Sequence, residues 1–209
     1  MELLLVRHAL PIRRELIDGP ADPELSADGR AQAEHVATYL SSEHLDAIYA
    51  SPLRRAHQTA LAIAAHHTLE VQLCDGVAEF DRLSPDYIPT EELKAANDPR
   101  YHAMLAGEWD TDEESSAEFR ARVVSTVESL IDAHPGQCVA VVCHGGVINT
   151  YLSHVLGLAT PRGGFFYPNY TCINRVAAAR GGERTIVTVN ETSHLRGTGL
   201  PMGLFQGDR

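Results

Sequence analysis

Met1-Glu2-Leu3-Leu4-Leu5-Val6-Arg7-His8-Ala9-Leu10-Pro11 opens the chain. Leu3 to Val6 form an unbroken apolar run of strand length, without the alternation of a half-exposed strand. This predicts a strand buried on both faces of a parallel sheet. Arg7 and His8 follow at once. In open α/β sheets ligands sit beyond the carboxyl ends of the strands, so the pair falls where such folds do their chemistry. A guanidinium forks onto an anionic group and a neighbouring imidazole attacks or shuttles a proton, which points to a phosphate site. Read alone, the pair fits an ordinary solvated strand end better.

A second junction of the same kind changes that balance. Cys138-Val139-Ala140-Val141-Val142-Cys143 is another apolar strand, and it runs into His144-Gly145-Gly146. The glycines permit a tight turn and a close backbone approach to a ligand before a helix expected from about Val147 to Leu156.

With 209 residues the chain suffices for a single domain, 1–209, with a substantial core and one inserted lobe. Lys and Arg number 17 against 28 Asp and Glu, a net charge of -11, which argues against nucleic acid as a partner. Any anion pocket is therefore local. Cys74, Cys138, Cys143 and Cys172 read as buried small apolar residues in a reducing compartment, the cytoplasm. Cys138 and Cys143 lie five apart in a strand and point to opposite faces, so they do not share a metal. None of the eleven histidines pairs at a convincing ligand spacing outside exposed helices, so no metal site and no cofactor are expected. Neither a signal-peptide charge pattern nor an apolar run of membrane-spanning length is present, so no membrane partner is expected either.

Along the chain, Pro11 to Pro23 reads as a loop able to line the pocket. Ser26 caps a helix whose Ala33, Val36, Ala37 and Leu40 recur at helical spacing. Asp46 to Ala50 is a short strand ending in Ser51-Pro52-Leu53-Arg54-Arg55-Ala56-His57-Gln58-Thr59-Ala60, which starts the next helix. Val71 to Leu73 reads as a third strand, leading to Glu79 and Asp81. From Arg82 to Glu114 the periodicity is poor and prolines recur, with acidic residues at Asp110, Asp112, Glu113 and Glu114, which suggests an inserted lid. Ser115 or Ser116 caps a helix that places Phe119, Val123, Val127, Leu130 and Ile131 on one face. Ile173 to Ala178 and Thr185 to Val189 form a closing hairpin, and the glycine-rich end from about Gly197 reads as a flexible tail or flap. The fold class is therefore α/β, a three-layer sandwich with a mostly parallel central sheet, helices on both faces and an inserted lid.

Three local motifs then act together: Leu5-Val-Arg-His-Ala, the Ser51 to Ala60 segment, and Val142-Cys-His-Gly-Gly-Val-Ile-Asn. In their order and spacing they resemble the histidine phosphatase superfamily, the phosphoglycerate-mutase-like enzymes. Leu25-Ser-Ala-Asp-Gly, Asn190-Glu-Thr-Ser-His-Leu and the placement of Glu79 add to the likeness, which spans nearly all the chain outside 82–114.

The resemblance implies phosphoryl transfer through a phosphohistidine on His8, with Arg7 and Arg55 on the phosphoryl oxygens and His144 as a further donor and catalytic partner. Glu79 would be the proton donor and acceptor, although Asp81 lies two residues on and can face the same side. No metal is required, since two arginines neutralise the phosphate directly. The chain departs from the pattern at Ala9 (often glycine), at Pro11 (often a hydroxyl residue) and at Arg14 (often asparagine), so Arg14 or Arg13 is a candidate rim contact to a second anionic group. The Gly-Glu-Ser that usually precedes the late helix survives only as Glu113-Glu114-Ser115-Ser116.

The leading expectation is a metal-independent phosphomonoesterase acting on a small phosphorylated substrate. A phosphoglycerate-type mutase is the runner-up, and a phospho-ligand-binding module with weak catalysis is the alternative of another class. An edge strand or a helix face leaves room for a homodimer.

Overall fold

The computed structural model describes residues 1–106, 114–158 and 164–203. Its strands are β1 (Glu2–Arg7), β2 (Arg14–Glu15), β3 (Ala47–Ala50), β4 (Val71–Leu73), β5 (Asp86–Tyr87), β6 (Cys138–Cys143), β7 (Ile173–Ala178) and β8 (Arg184–Glu191). The helices are α1 (Ala27–Leu40), α2 (Arg54–Ala65), α3 (Thr90–Ala95), α4 (Pro99–Ala106), α5 (Ser116–Ala133) and α6 (Gly145–Val155). Six strands form the central sheet in the order β4-β3-β6-β1-β7-β8. β4, β3, β6 and β1 run parallel, and the β7–β8 hairpin adds the antiparallel members.

The opening run is apolar throughout because both faces of β1 are covered. Leu3 and Leu5, with Val139, Val141 and Cys143 of β6, pack against Val123, Val127 and Ile131 of α5 and against Val147, Ile148 and Tyr151 of α6. Leu4 and Val6, with Ala140 and Val142, pack on the other face against Val36, Ala37 and Leu40 of α1 and Ala56, Ala60 and Ile63 of α2. Leu3, Leu4, Leu5 and Val6 are wholly buried, and burying each such side chain contributes about 1.5–3 kcal/mol. The three layers expected from the sequence are therefore present.

Local caps behave as the sequence predicts. Ser26 Oγ accepts from the Gly29 amide at 2.9 Å and donates to the Leu10 carbonyl at 3.0 Å, pinning the start of α1 to the segment after His8. Ser115 and Glu118 form a reciprocal capping box at the start of α5. Cys138 and Cys143 do serve opposite faces, but only Cys143 and Cys172 are buried, while Cys74 and Cys138 are half-buried.

Other expectations change. The Pro11 to Pro23 loop carries β2, which pairs with β5, and Pro11 bridges Leu25. Residues 82–106 contain β5, α3 and α4 rather than irregular chain alone. α6 begins at Gly145, directly after His144, so the two glycines form its first turn instead of a loop before it. Within the glycine-rich end, the Met202 carbonyl accepts from the Tyr170 amide at 3.0 Å and the Pro201 carbonyl from Gln32. Asp110, Asp112 and Glu113 lie outside the described residues. Among the described residues, no helix is long and apolar enough to cross a membrane.

Candidate active site

β1 and β6 are hydrogen-bonded neighbours in parallel register, Arg7 opposite Cys143, so the residues that follow them emerge side by side. The His8 amide donates to the Cys143 carbonyl at 2.9 Å, and the rings of His8 and His144 lie 5.0 Å apart. Two histidines distant in sequence therefore meet because their strands are adjacent. A cavity of about 350 Å³ opens at this sheet edge, and Arg7, His8, Arg55, Glu79 and Asp81 share its wall. Its size falls within the range of small-molecule sites.

His8 is 3% exposed, and its Nδ1 lies 2.8 Å from the Ala9 carbonyl oxygen. A carbonyl only accepts, so Nδ1 carries the ring proton and a neutral His8 presents its lone pair at Nε2. Burial, then Arg55 and Arg7, hold the His8 pKa well below the usual imidazole value, so the ring is neutral near pH 7. Ala9 is held by its own amide, which donates to Thr59 Oγ1 at 3.0 Å. It adopts no positive φ, so glycine is not needed at this position.

His144 is completely buried beside His8 and is not among the described residues that line the cavity. Its Nε2 lies 2.8 Å from Ser51 Oγ, and its Nδ1 has no hydrogen-bond partner. Burial and the neighbouring Arg55, His8 and Arg7 keep it neutral as well. Ser51 has no assigned role in the sequence reading, although it heads the second motif. A serine at the buried end of a strand was the available signal.

Arg55 is the second residue of α2 and is 1% exposed, whereas neighbouring Arg54 is half-exposed and pairs with Glu24. Arg55 Nη2 donates to Asp81 Oδ1 at 2.8 Å, and its plane lies over Tyr87. Arg7 Nη1 donates to the Pro168 carbonyl at 2.5 Å, with its guanidinium 4.2 Å from the Tyr170 ring centroid. In both arginines Nε is buried without a hydrogen-bond partner. Two buried cations with unused N–H groups on one cavity wall form a ready anion cradle.

Asp81 is thus bound to Arg55, while Glu79 is the more deeply placed carboxylate. Glu79 Oε2 accepts from the Gly146 amide at 2.8 Å and Oε1 from the Phe80 amide at 3.2 Å. Burial first, and Asp81 second, push its pKa up to about 7, against the opposing pull of the Gly146 amide and Arg55. A Cβ on Gly146 would lie 2.4 Å from Glu79 Oε1, so the second glycine makes room for this carboxylate. The segment carrying Glu79 is braced from behind. Arg122 Nη1 donates to the Gly76 and Ala78 carbonyls at 3.0 Å each, and Arg122 is itself held by Glu114 at 2.6 and 2.7 Å.

The rim departs from expectation. Arg14 pairs with Glu24 at 3.0 Å and Arg13 with Glu15 and Glu92, and neither lines the cavity. Among the described residues, a cation that does line this wall is Arg100 of α4, which nothing local in the sequence marks.

A family model described as histidine phosphatase superfamily, branch 1, matches residues 3–192. The chain belongs to the histidine phosphatase superfamily. This histidine phosphatase superfamily member is 31% identical over 211 residues to phosphoserine phosphatase 1 of Hydrogenobacter thermophilus, covering 93% of this chain and 94% of the relative. It is 30% identical over 216 residues to phosphoglycerate mutase-like protein 4 of Arabidopsis thaliana, covering 100% and 93% respectively. Among solved structures, a mutant phosphoserine phosphatase of Entamoeba histolytica in complex with phosphoserine superposes with a TM-score of 0.73 at 27% identity, covering 93% of this chain and 98% of that one.

Proposed function

We propose that this chain is a metal-independent phosphomonoesterase working in two steps through a phosphohistidine on His8. In the first step, the Nε2 lone pair of His8 forms a bond to phosphorus as the ester P–O bond breaks, and the departing oxygen takes a proton from Glu79. In the second step, the Glu79 carboxylate takes a proton from water, whose oxygen attacks phosphorus. The P–N bond then breaks, returning neutral His8 and releasing phosphate. Arg7 and Arg55 hold the non-bridging oxygens through both steps, and His144 Nδ1 serves as a further donor to them when it carries the ring proton.

The observation that carries this reading is the hydrogen bond from His8 Nδ1 to the Ala9 carbonyl, which aims an unprotonated Nε2 beside two buried arginines. Opposite shifts on the two reacting groups support the division of labour, the imidazole pushed down and the carboxyl pushed up. The phosphatases among the relatives support hydrolysis over transfer to a second substrate. Four free cysteines, with burial raising the Cys143 and Cys172 thiols, support a reducing compartment, the cytoplasm.

The test is phosphate release from a panel of small phosphomonoesters with and without excess EDTA. Release that the chelator leaves unchanged is the expected result. Loss of activity on chelation, or primed phosphoglycerate interconversion faster than phosphate release, would overturn the reading.

A further inference from the structure

The cavity wall beyond the phosphate site mixes one charged cluster, Arg100 with Asp86, with a group of apolar side chains. Tyr101, Met104 and Leu105 all lie on α4 and line the cavity, yet α4 has no buried residue, and Leu105 is 57% exposed. A short helix on a protein surface ordinarily sets its apolar side chains into a core. Here they line the same cavity as His8 and Glu79, together with Ile88, Leu93 and Phe166.

The charges at this end are already matched. Arg100 donates from Nε and Nη2 to Asp98 at 2.9 and 2.8 Å and from Nη1 to Asp86 at 2.5 Å, so one cation faces two carboxylates. Arg7 and Arg55 belong to the phosphoryl group. Among the described residues lining the cavity, no further cation remains for a carboxylate or a second phosphate. A leaving group bearing a carboxylate would meet the net negative charge of the Arg100 cluster and would strip water from its own charge without a partner.

We propose that the substrate is a monoester of an apolar or aromatic alcohol without a carboxylate, seated against α4, Ile88, Leu93 and Phe166. This rests on the phosphomonoesterase reading and gives its substrate a chemical class. The segment 82–106 is then the element that selects the substrate, while β1, β6 and α2 supply the chemistry.

The experiment is a homologous series of n-alkyl phosphates from ethyl to octyl. Their alcohols have nearly equal acidity, so differences in kcat/KM report contact with the chain and not leaving-group reactivity. Burying one methylene corresponds to about fourfold in kcat/KM, so a ~250-fold rise across the four methylenes from ethyl to hexyl phosphate is expected. Hexyl phosphate should also exceed phosphoserine and 3-phosphoglycerate, and Leu105→Asp or Met104→Glu should flatten the slope. A flat series with measurable turnover, or phosphoserine or 3-phosphoglycerate matching hexyl phosphate, would overturn the assignment and leave the phosphatase reading standing. No phosphate release from any ester, 4-nitrophenyl phosphate included, would overturn the phosphatase reading itself.

Discussion

His8→Ala is expected to lower kcat/KM for phosphomonoester hydrolysis by about 10⁵-fold, the scale seen when a covalent nucleophile is removed. No neighbour is placed to substitute. His144 lies 5.0 Å away, but its Nε2 is engaged with Ser51, and it is not among the residues lining the cavity. Arg7 and Arg55 remain in the variant, so calorimetric titration with inorganic phosphate should show binding retained within about tenfold, because the charge-assisted donors are intact. The thermal midpoint should fall little, because the imidazole is held by one local hydrogen bond to Ala9. Lost turnover with retained phosphate binding separates a nucleophile from a structural residue. Turnover within tenfold of the native chain would assign the chemistry elsewhere.

Glu79→Gln is the second large effect, about 10³-fold on alkyl phosphates, within the range for general acid–base catalysis. On 4-nitrophenyl phosphate the loss in kcat/KM should shrink to about tenfold, because a phenolate this stable leaves without a proton and acid catalysis has little to contribute. The pH dependence follows from the carboxyl group at about 7. Formation of the phosphoenzyme needs Glu79 protonated, so kcat/KM for an alkyl phosphate falls as pH rises through about 7. Breakdown of the phosphoenzyme needs the carboxylate, so that step slows as pH falls through the same value. His8 adds no acidic limb near neutrality because its pKa lies well below the usual imidazole value. Stopped-flow pH profiles of the native chain and of Glu79→Gln check this. A profile in the variant that keeps the native limb at 7 would remove Glu79 from the proton transfers.

The two strand–histidine junctions are legible in the sequence because a strand covered on both faces must be apolar where it is covered, as Leu3 to Val6 of β1 and all of β6 are. The histidines and arginines that follow lie at strand ends or in a helix's first turn, positions that topology alone brings together. The choice between Glu79 and Asp81 is not legible, since it depends on the Gly146 amide, 67 residues away, and on Arg55 taking Asp81. For the same reason the start of α6 is misread. Gly145-Gly146 looks like a turn, but the second glycine serves the approach of a carboxylate from another loop.

Residues 82–106 are opaque for a different reason. α3 and α4 span six and eight residues and bury only Leu93 between them, so neither shows the stripe that marks a core-facing helix. Arg14 departs from the family pattern and reads as a rim contact in one dimension, yet in the fold it sits opposite Tyr87 and pairs with Glu24.

The most direct test of the account is rapid alkaline quenching during turnover of 4-nitrophenyl phosphate, followed by peptide mass spectrometry and phosphorus NMR of the adduct. The account predicts one acid-labile phosphate, on Nε2 of His8, that accumulates when Glu79→Gln turns over 4-nitrophenyl phosphate and is absent from His8→Ala. Phosphate on Nδ1 of His8 or on another residue, or turnover with no adduct in either protein, would contradict it.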